Sequence, residues 1–371
     1  MRASLLSFLA CPHCHATLGL RTTAKSDDVI QEGSLRCTGC SEEYPIREGI
    51  PRFVPDAAYA RSFSFEWKRW RRTQFDTASR RSSLETFLVS TSRSPADLAG
   101  GVVLDAGCGT GRYMELLARA GAVTIGIDLS QAIEVAHENL CRLPNCHFVQ
   151  GDLLHPPFRP RMFDFIYSIG VIHHTPSTRD AFTGLVPLLG CGGEIAIWVY
   201  PLRRLSETFE RFPDRVNEVL AVDSNFTIPP SRQPTVRRMA KTIDWVMEAS
   251  NRMQRLITTR LPTRLLYALC HAAVPLYYLY RLPIFYPLRL VTKVAVDPDP
   301  EWRVLNTFDW YSPKYQWKHT YGEVEGWFRE AGLQQITALP RPVAVHGRRP
   351  PGMALENPGA KSEDGARPGP A

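Results

Sequence analysis

No stretch of this 371-residue chain is long and apolar enough to predict a membrane span. The best candidate, Leu265 to Tyr280, lies between Arg264 and Arg281 and is interrupted by Pro275. It falls short of the roughly 18 residues such a helix usually needs. A disulfide framework is argued against too. The nine cysteines are odd in number, the chain is long, and four of them stand in a metal-type pattern. A reducing compartment is therefore expected. The N-terminus does not read as a secretory leader, because its apolar stretch is short and runs straight into a cysteine pair. Internal repeats are missing as well. Neither sign of charge dominates: 44 Lys and Arg against 37 Asp and Glu leave a net charge of +7. That mild excess fits an anionic partner or plain solubility. Together these features predict a cytoplasmic protein, at most peripheral to a membrane.

What is present suffices for a folded protein of two or three units. Residues 1–55 form a small cysteine-bearing module, and 56–98 a basic, aromatic linker. Residues 99–200 alternate short apolar strands with helical patterns, the mark of an α/β parallel sheet. Residues 201–310 break that rhythm with Pro-rich, basic and apolar stretches and read as a mainly helical insertion. Residues 311–347 resume it with one helix and two strand-like runs. From 348 to 371 the chain is rich in Pro, Gly and charge, which predicts disorder.

Cys11-Pro-His-Cys14 and Cys37-Thr-Gly-Cys40 are two CxxC knuckles. A knuckle sets two thiolates on one side of an ion and a second knuckle closes a tetrahedral cage, so Cys11, Cys14, Cys37 and Cys40 are predicted to hold zinc. Four protein ligands leave no open position, which makes the role structural. A module this small has little apolar burial of its own and needs the metal. His13 and His15 are read as surface residues. With Gly33-Ser-Leu35, Tyr44-Pro-Ile46 and Gly49-Ile-Pro51 around the second knuckle, the segment resembles the small zinc-ribbon proteins that partner tRNA and protein methyltransferases.

The run VVLDAGCGTG over 102–111 places an apolar strand, ending at Asp105, before a glycine loop. RYMELLARAG then reads as a helix with Tyr113, Leu116, Leu117 and Ala120 on one face, closed by Gly121. Gly107, Gly109 and Gly111 allow positive φ and a close approach of backbone to ligand, with amides at the helix start facing it. The dinucleotide fingerprint GxGxxG needs glycine at 112, where this chain has Arg112. The GxGxG form with an acid two residues ahead instead resembles motif I of class I methyltransferases, closest to the ubiquinone/menaquinone-type branch. The resemblance covers about 99–200 and 311–347. It implies a Rossmann-like seven-stranded sheet and S-adenosylmethionine as cofactor. By the same resemblance Asp128, at the end of the second strand and followed by Leu129, holds the ribose hydroxyls. Asp152 meets the adenine amino group and the Leu153 amide meets the ring. Ser168 ends the fourth strand at the cofactor crevice. A strand-end cap at Asp128 and an Asx-turn at Asp152 are the plainer readings of those two acids.

The sulfonium methyl of such a cofactor needs alignment, exclusion of water and at times removal of a proton. His174, then His173, just past the fourth strand, are the candidate bases, against a structural His pair. No Asp/Asn-Pro-Pro-Tyr run follows that strand, which weakens amino-nitrogen methylation of adenine or glutamine. No Pro-Cys stands there either, which weakens cytosine C5 chemistry. An O, C or N atom of a small-molecule or lipid-linked metabolite is the leading acceptor. RNA is the alternative, since bacterial rRNA guanine methyltransferases also join a ribbon to this fold, although their second knuckle typically contains a histidine. A non-catalytic scaffold is argued against by intact Asp105, Asp128 and Asp152.

The linker run Ser62-Phe-Ser-Phe-Glu-Trp67-Lys-Arg-Trp70-Arg-Arg72 could stack bases, lie on the core as an amphipathic helix, or cover the cofactor as a lid. Residues 264–293 read either as a peripheral membrane contact or as buried helices shaping the acceptor pocket. The aromatic stretch Asn306 to Thr320 reads as acceptor-pocket lining, with Asp309 and His319 open to a structural role.

Overall fold

The alternating apolar runs of the first 54 residues fold as an antiparallel meander, β1 (Leu18–Ser26), β2 (Val29–Cys37), β3 (Glu43–Arg47) and β4 (Ile50–Pro51), paired in chain order. The structure is a computed structural model and describes residues 1–54, 61–224, 227–280, 282–285, 288, 292 and 294–352. Parts of the expected linker, of the 264–293 segment and most of the expected disordered tail (353–371) lie outside the described residues. Arg348 and Arg349 do not belong to such a tail. Arg349 is buried, and its guanidinium donates to the Leu189 carbonyl at 2.7 Å.

The strands of the second unit are β5 (Val102–Ala106), β6 (Val123–Asp128), β7 (Cys146–Gln150), β8 (Phe163–Ile169), β9 (Leu189–Trp198), β10 (Gln334–Leu339) and β11 (Ala344–Arg348). They form one seven-stranded sheet in the order β10-β11-β9-β8-β5-β6-β7. Strands β5 to β9 run parallel, and β11 is antiparallel to both of its neighbours. The seven-strand order expected from the sequence is therefore present. Gly192-Gly193 lies inside β9, and a register shift against β8 between Phe163 and Phe165 absorbs the extra backbone.

Helices α1 (Arg61–Arg69) and α2 (Ser82–Thr91) come from the linker. Helices α3 (Arg112–Arg119), α4 (Ala132–Leu140) and α5 (Thr178–Leu185) connect the parallel strands. The buried face of α3 is Tyr113, Met114, Leu117 and Ala118. It is turned from the predicted face, because Met114 packs into the cluster with Ile133 and Phe148. The insertion carries α6 (Arg204–Arg211), α7 (Val216–Ser224), α8 (Gln233–Thr258), α9 (Thr263–Cys270), α10 (Ala273–Leu279) and α11 (Pro300–Tyr311), and α12 (Tyr321–Glu330) precedes β10. Helix α1 packs between α4 of the core and α11 of the insertion.

The ribbon is not a separate body. Its Leu5, Leu9, Leu35 and Ile46 share one buried cluster with Phe158, Phe163 and Leu188 of the second unit. Backbone joins them as well: the Ala10 amide donates to Pro157 O at 3.0 Å and the Arg159 amide to Phe8 O at 2.8 Å. Next to β4, the Phe53 amide donates to Gln150 O at 2.8 Å, and Arg52 bonds Glu134 and Gln150. The ribbon thus covers the outer edge of β7, which would otherwise present unpaired backbone groups.

Because Leu9 is fully buried in the shared cluster, Leu9→Ala is expected to cost about 2–5 kcal/mol and to lower the midpoint of one joint unfolding transition. Denaturant titration followed by near-UV dichroism checks this. A ribbon that melts separately and leaves the remainder unchanged contradicts it.

Candidate functional site

The four knuckle cysteines converge at one end of the ribbon. Their sulfur atoms all lie within 4.8 Å of one another. Cys11 Sγ is 3.6 Å from Cys40 Sγ, and Cys14 Sγ is 3.4 Å from Cys37 Sγ. Four thiolates at zinc-bond length around one ion would stand about 3.8 Å apart, so little adjustment is needed to hold a tetrahedral cation. The amides of Cys40 and Gly39 donate to Cys37 Sγ. The Cys40 amide first, helped by that of Gly39, pulls the Cys37 thiol down to about 6 against the opposing effect of burial. His13 and His15 are exposed, as predicted.

The second site lies where open parallel sheets bind ligands, at the carboxyl ends of the strands beside the point where the order reverses. Here that point is between β5 and β8. A cavity of about 970 Å³ opens there, bordered by Gly107, Gly109, Asp128, Leu129, Asp152 and Leu153 among others. Gly107, at φ +95°, has no room for a side chain, since a Cβ would meet Val171 Cγ1 at 2.2 Å. Asp128 sits beside this loop. Its carboxylate accepts from the Gly109 amide at 2.9 Å and from the amide and hydroxyl of Ser130 at 2.8 and 2.7 Å. Burial raises its pKa against these hydrogen bonds. The Asp152 carboxylate accepts from the Leu154 amide at 3.0 Å, an Asx-turn that still leaves the residue on the cavity wall.

Three residues expected at this site do not border the cavity. Asp105 is buried and accepts from the Tyr167 hydroxyl at 2.7 Å. Burial is the main cause that lifts its carboxyl to about 7. The Ser168 hydroxyl donates to the Ala106 carbonyl at 2.8 Å and ties β8 to β5. Gly111, at φ +86°, lets the start of α3 press against Leu140.

On the other side of the cavity the two histidines part. His174 borders it, while His173 lies behind, its ring 4.0 Å from that of Tyr200. His174 Nδ1 is 2.8 Å from the Tyr315 carbonyl. A carbonyl only accepts, so Nδ1 carries the proton and Nε2 keeps its lone pair. Nε2 has no hydrogen-bond partner among the described residues, and burial lowers the pKa of the ring. The sequence had not singled out Glu66. It comes from α1, is fully buried on the same cavity wall, and neither carboxyl oxygen has a partner among the described residues. Burial, with Asp309 nearby, pushes its pKa well above the usual carboxylate range. An acid in the middle of an aromatic and cationic run was the available signal. Trp67, one residue on, lies over Gly109 and gives the linker its lid position. Asn306, Asp309 and Lys318 also line the cavity, Asp309 accepting from the Tyr200 hydroxyl at 2.9 Å. His319 is structural, with Nε2 3.0 Å from the Thr178 hydroxyl.

Residues 104–197 match the family described as methyltransferase domain, and residues 2–49 match the family described as Trm112p-like protein. Glycine loop, strand order and cysteine cage agree with both matches. The chain joins a Trm112p-like ribbon to a class I methyltransferase domain. Over 117 residues it is 35% identical to a Mus musculus protein named as a tRNA methyltransferase 9B, covering 30% of this chain and 24% of that one. Over 107 residues it is 36% identical to the tRNA U34 carboxymethyltransferase of Azotobacter vinelandii, covering 27% and 33%. Over 110 residues it is 31% identical to the demethylmenaquinone methyltransferase of Clavibacter sepedonicus, covering 29% and 45%. The chain thus spans less than half the length of each of these relatives.

The buried Asp105 gives stability a pH dependence. Its folded pKa of about 7 stands above the ordinary 3.8. The stability tied to its un-ionised form is complete below about pH 4 and is lost as pH rises to about 7. Asp105→Asn in the methyltransferase domain is expected to remove that slope and to be more stable than the parent at pH 8, by up to roughly 4 kcal/mol. Denaturation midpoints measured from pH 4 to 8 decide it, and superimposable profiles would refute the assignment.

Proposed function

We propose that this chain transfers a methyl group from S-adenosylmethionine to RNA and carries a structural zinc ion in its cysteine cage. The observation that supports RNA most is the presence, in one chain, of a Trm112p-like ribbon and a methyltransferase domain similar to proteins named for tRNA. The cavity is large enough for a cofactor and an acceptor base together. A small or lipid-linked acceptor, which the ubiquinone/menaquinone resemblance puts first, takes second place. Its specific support is the similarity to the Clavibacter enzyme.

The residues fit the cofactor. Gly107 and Gly109 leave bare backbone at the crevice, and the Asp128 carboxylate, steadied by the Gly109 amide, faces the space where ribose hydroxyls would donate to it. S-adenosylmethionine supplies an activated methyl, open to in-line displacement. His174 then acts as the base. The Tyr315 carbonyl holds its tautomer, burial keeps the ring neutral, and the Nε2 lone pair takes a proton from the acceptor. The un-ionised carboxyl of Glu66 offers a donor and an acceptor side by side to the polar edge of a base. Trp67 and the rest of α1 exclude water from above.

Incubation of the full chain with labelled S-adenosylmethionine and separate RNA, protein, lipid and small-molecule fractions is expected to label RNA, with the label lost after ribonuclease. Label confined to lipid or small molecules would sink the RNA reading and promote the second. His174→Ala is expected to lower kcat by about 10²–10⁴-fold with cofactor binding unchanged in calorimetry. Metal analysis of the purified chain should give about one zinc per molecule. Cys14→Ser or a strong chelator should remove it and lower the unfolding midpoint. A chain that is metal-free as purified and unaffected by chelation speaks against the zinc assignment.

A further inference from the structure

Twelve large apolar side chains stand exposed among the described residues, and ten of them fall between Met239 and Ile284. They follow a pattern. On α8, Met239, Thr242, Trp245, Ala249, Met253 and Leu256 recur at three- and four-residue steps and form one stripe. Trp245 is 71% exposed and Met253 67%. The opposite side of the same helix is buried through Ala240, Asp244 and Asn251. Leu265 and Leu269 on α9 and Tyr278 on α10 are exposed too, and α8, α9 and α10 all rest on α11. A soluble chain rarely leaves so much apolar surface uncovered without an interface.

Charge distinguishes the occupant. Residues 231–296 contain eleven Lys and Arg and two acids, a surplus of nine against +7 for the whole chain. Both acids are turned away from the stripe. Asp244 accepts from the amides of Leu205 and Ser206, and Glu248 pairs with Lys318 and Arg252. Arg237, Arg238, Lys241, Arg252, Arg260 and Arg264 are exposed. A second copy of this face would bring like charge against like. RNA would satisfy the cations and stack on an aromatic ring, but it gives no return for exposed Met, Leu and Ile. A surface that is anionic at its headgroups and apolar beneath satisfies both properties at once, and Trp, Tyr and Arg favour that boundary. No described helix is long and apolar enough to cross a bilayer, so the contact is with its surface.

We propose that the outer face of α8, α9 and α10 is a docking surface for anionic lipid bilayers, the α8 stripe entering the headgroup boundary and the flanking Arg and Lys binding lipid phosphates. The face extends N-terminally, by the whole of α8, the membrane contact that was one of the two readings of 264–293. It stands whichever molecule accepts the methyl group. The inner side of α8, through Asp244, Met247 and Glu248, lines the cavity, so the bilayer and the acceptor site lie on two sides of one helix.

The test is co-sedimentation of the full chain with phosphatidylcholine vesicles, with and without roughly 30% phosphatidylglycerol. Binding is expected only with the anionic lipid and should fall as salt rises. Two variants separate the contributions, Trp245→Glu with Met253→Glu for the stripe, and Arg238→Glu with Lys241→Glu for the charge. Each should weaken partitioning by about tenfold or more with the thermal midpoint unchanged, since all four side chains are exposed. Lack of vesicle binding overturns the proposal, as does binding that the stripe variant retains. Dimerisation that the stripe variant abolishes, without vesicle binding, makes the face a contact between copies. Affinity for tRNA lost only in the charge variant, again without vesicle binding, makes it an RNA surface.

Discussion

Val171 occupies the space where any side chain at residue 107 would stand, 2.2 Å from the Cβ position of Gly107. The loop after β5 and the loop after β8 therefore interlock, and only glycine permits it, both for room and for a φ of +95°. The same turn sends the Gly107 and Cys108 amides to the Ile127 carbonyl, at 2.9 and 3.1 Å, which fastens the end of β6 to the loop. Three strand ends thus meet at one point. Asp128 then falls within reach of the Gly109 amide, and the cavity opens where the strand order reverses. The linker helix completes the site by laying Trp67 over Gly109.

The ribbon and the methyltransferase domain depend on each other physically. Fifty-odd residues can bury little apolar surface alone, and here Leu9, Leu35 and Ile46 close their cluster with Phe158 and Phe163 of the larger unit. In return the ribbon covers the open edge of β7 through Arg52 and Phe53. The cysteine cage adjoins that arrangement, since Cys11 and Cys37 belong to the shared cluster and Cys40 packs against it. The docking of the ribbon rests on apolar burial and backbone pairing.

The parts of the site that were legible are those carried by backbone. Asp128 and Asp152 were suggested by the family resemblance, whereas the glycine loop could be found from spacing, because positive φ demands glycine at particular intervals. The knuckles were legible for the same reason. Side-chain direction was less so. Asp105 and Ser168 belong to the motif-bearing strands, yet they turn to Tyr167 and to the Ala106 carbonyl and not to the cavity. His173 and His174 are adjacent in sequence, but a short helical turn sends one behind Tyr200 and the other to the wall. Glu66 stood out only as an acid within an aromatic and cationic run, because its surroundings come from α11 and α9, more than two hundred positions away.

By itself the sequence determined the cage, the glycine loop and the order of the core strands. Each of these follows from short-range rules of ligand spacing, allowed φ and apolar periodicity. Only the tertiary structure decided which polar groups face the cavity, that a linker acid is buried there, that the ribbon shares the core, and that α8 presents an apolar and cationic face outward. The reason is physical. Burial and pairing are set by what packs against a residue, and in this chain the decisive neighbours of Glu66, Leu9 and α8 come from distant parts of the sequence.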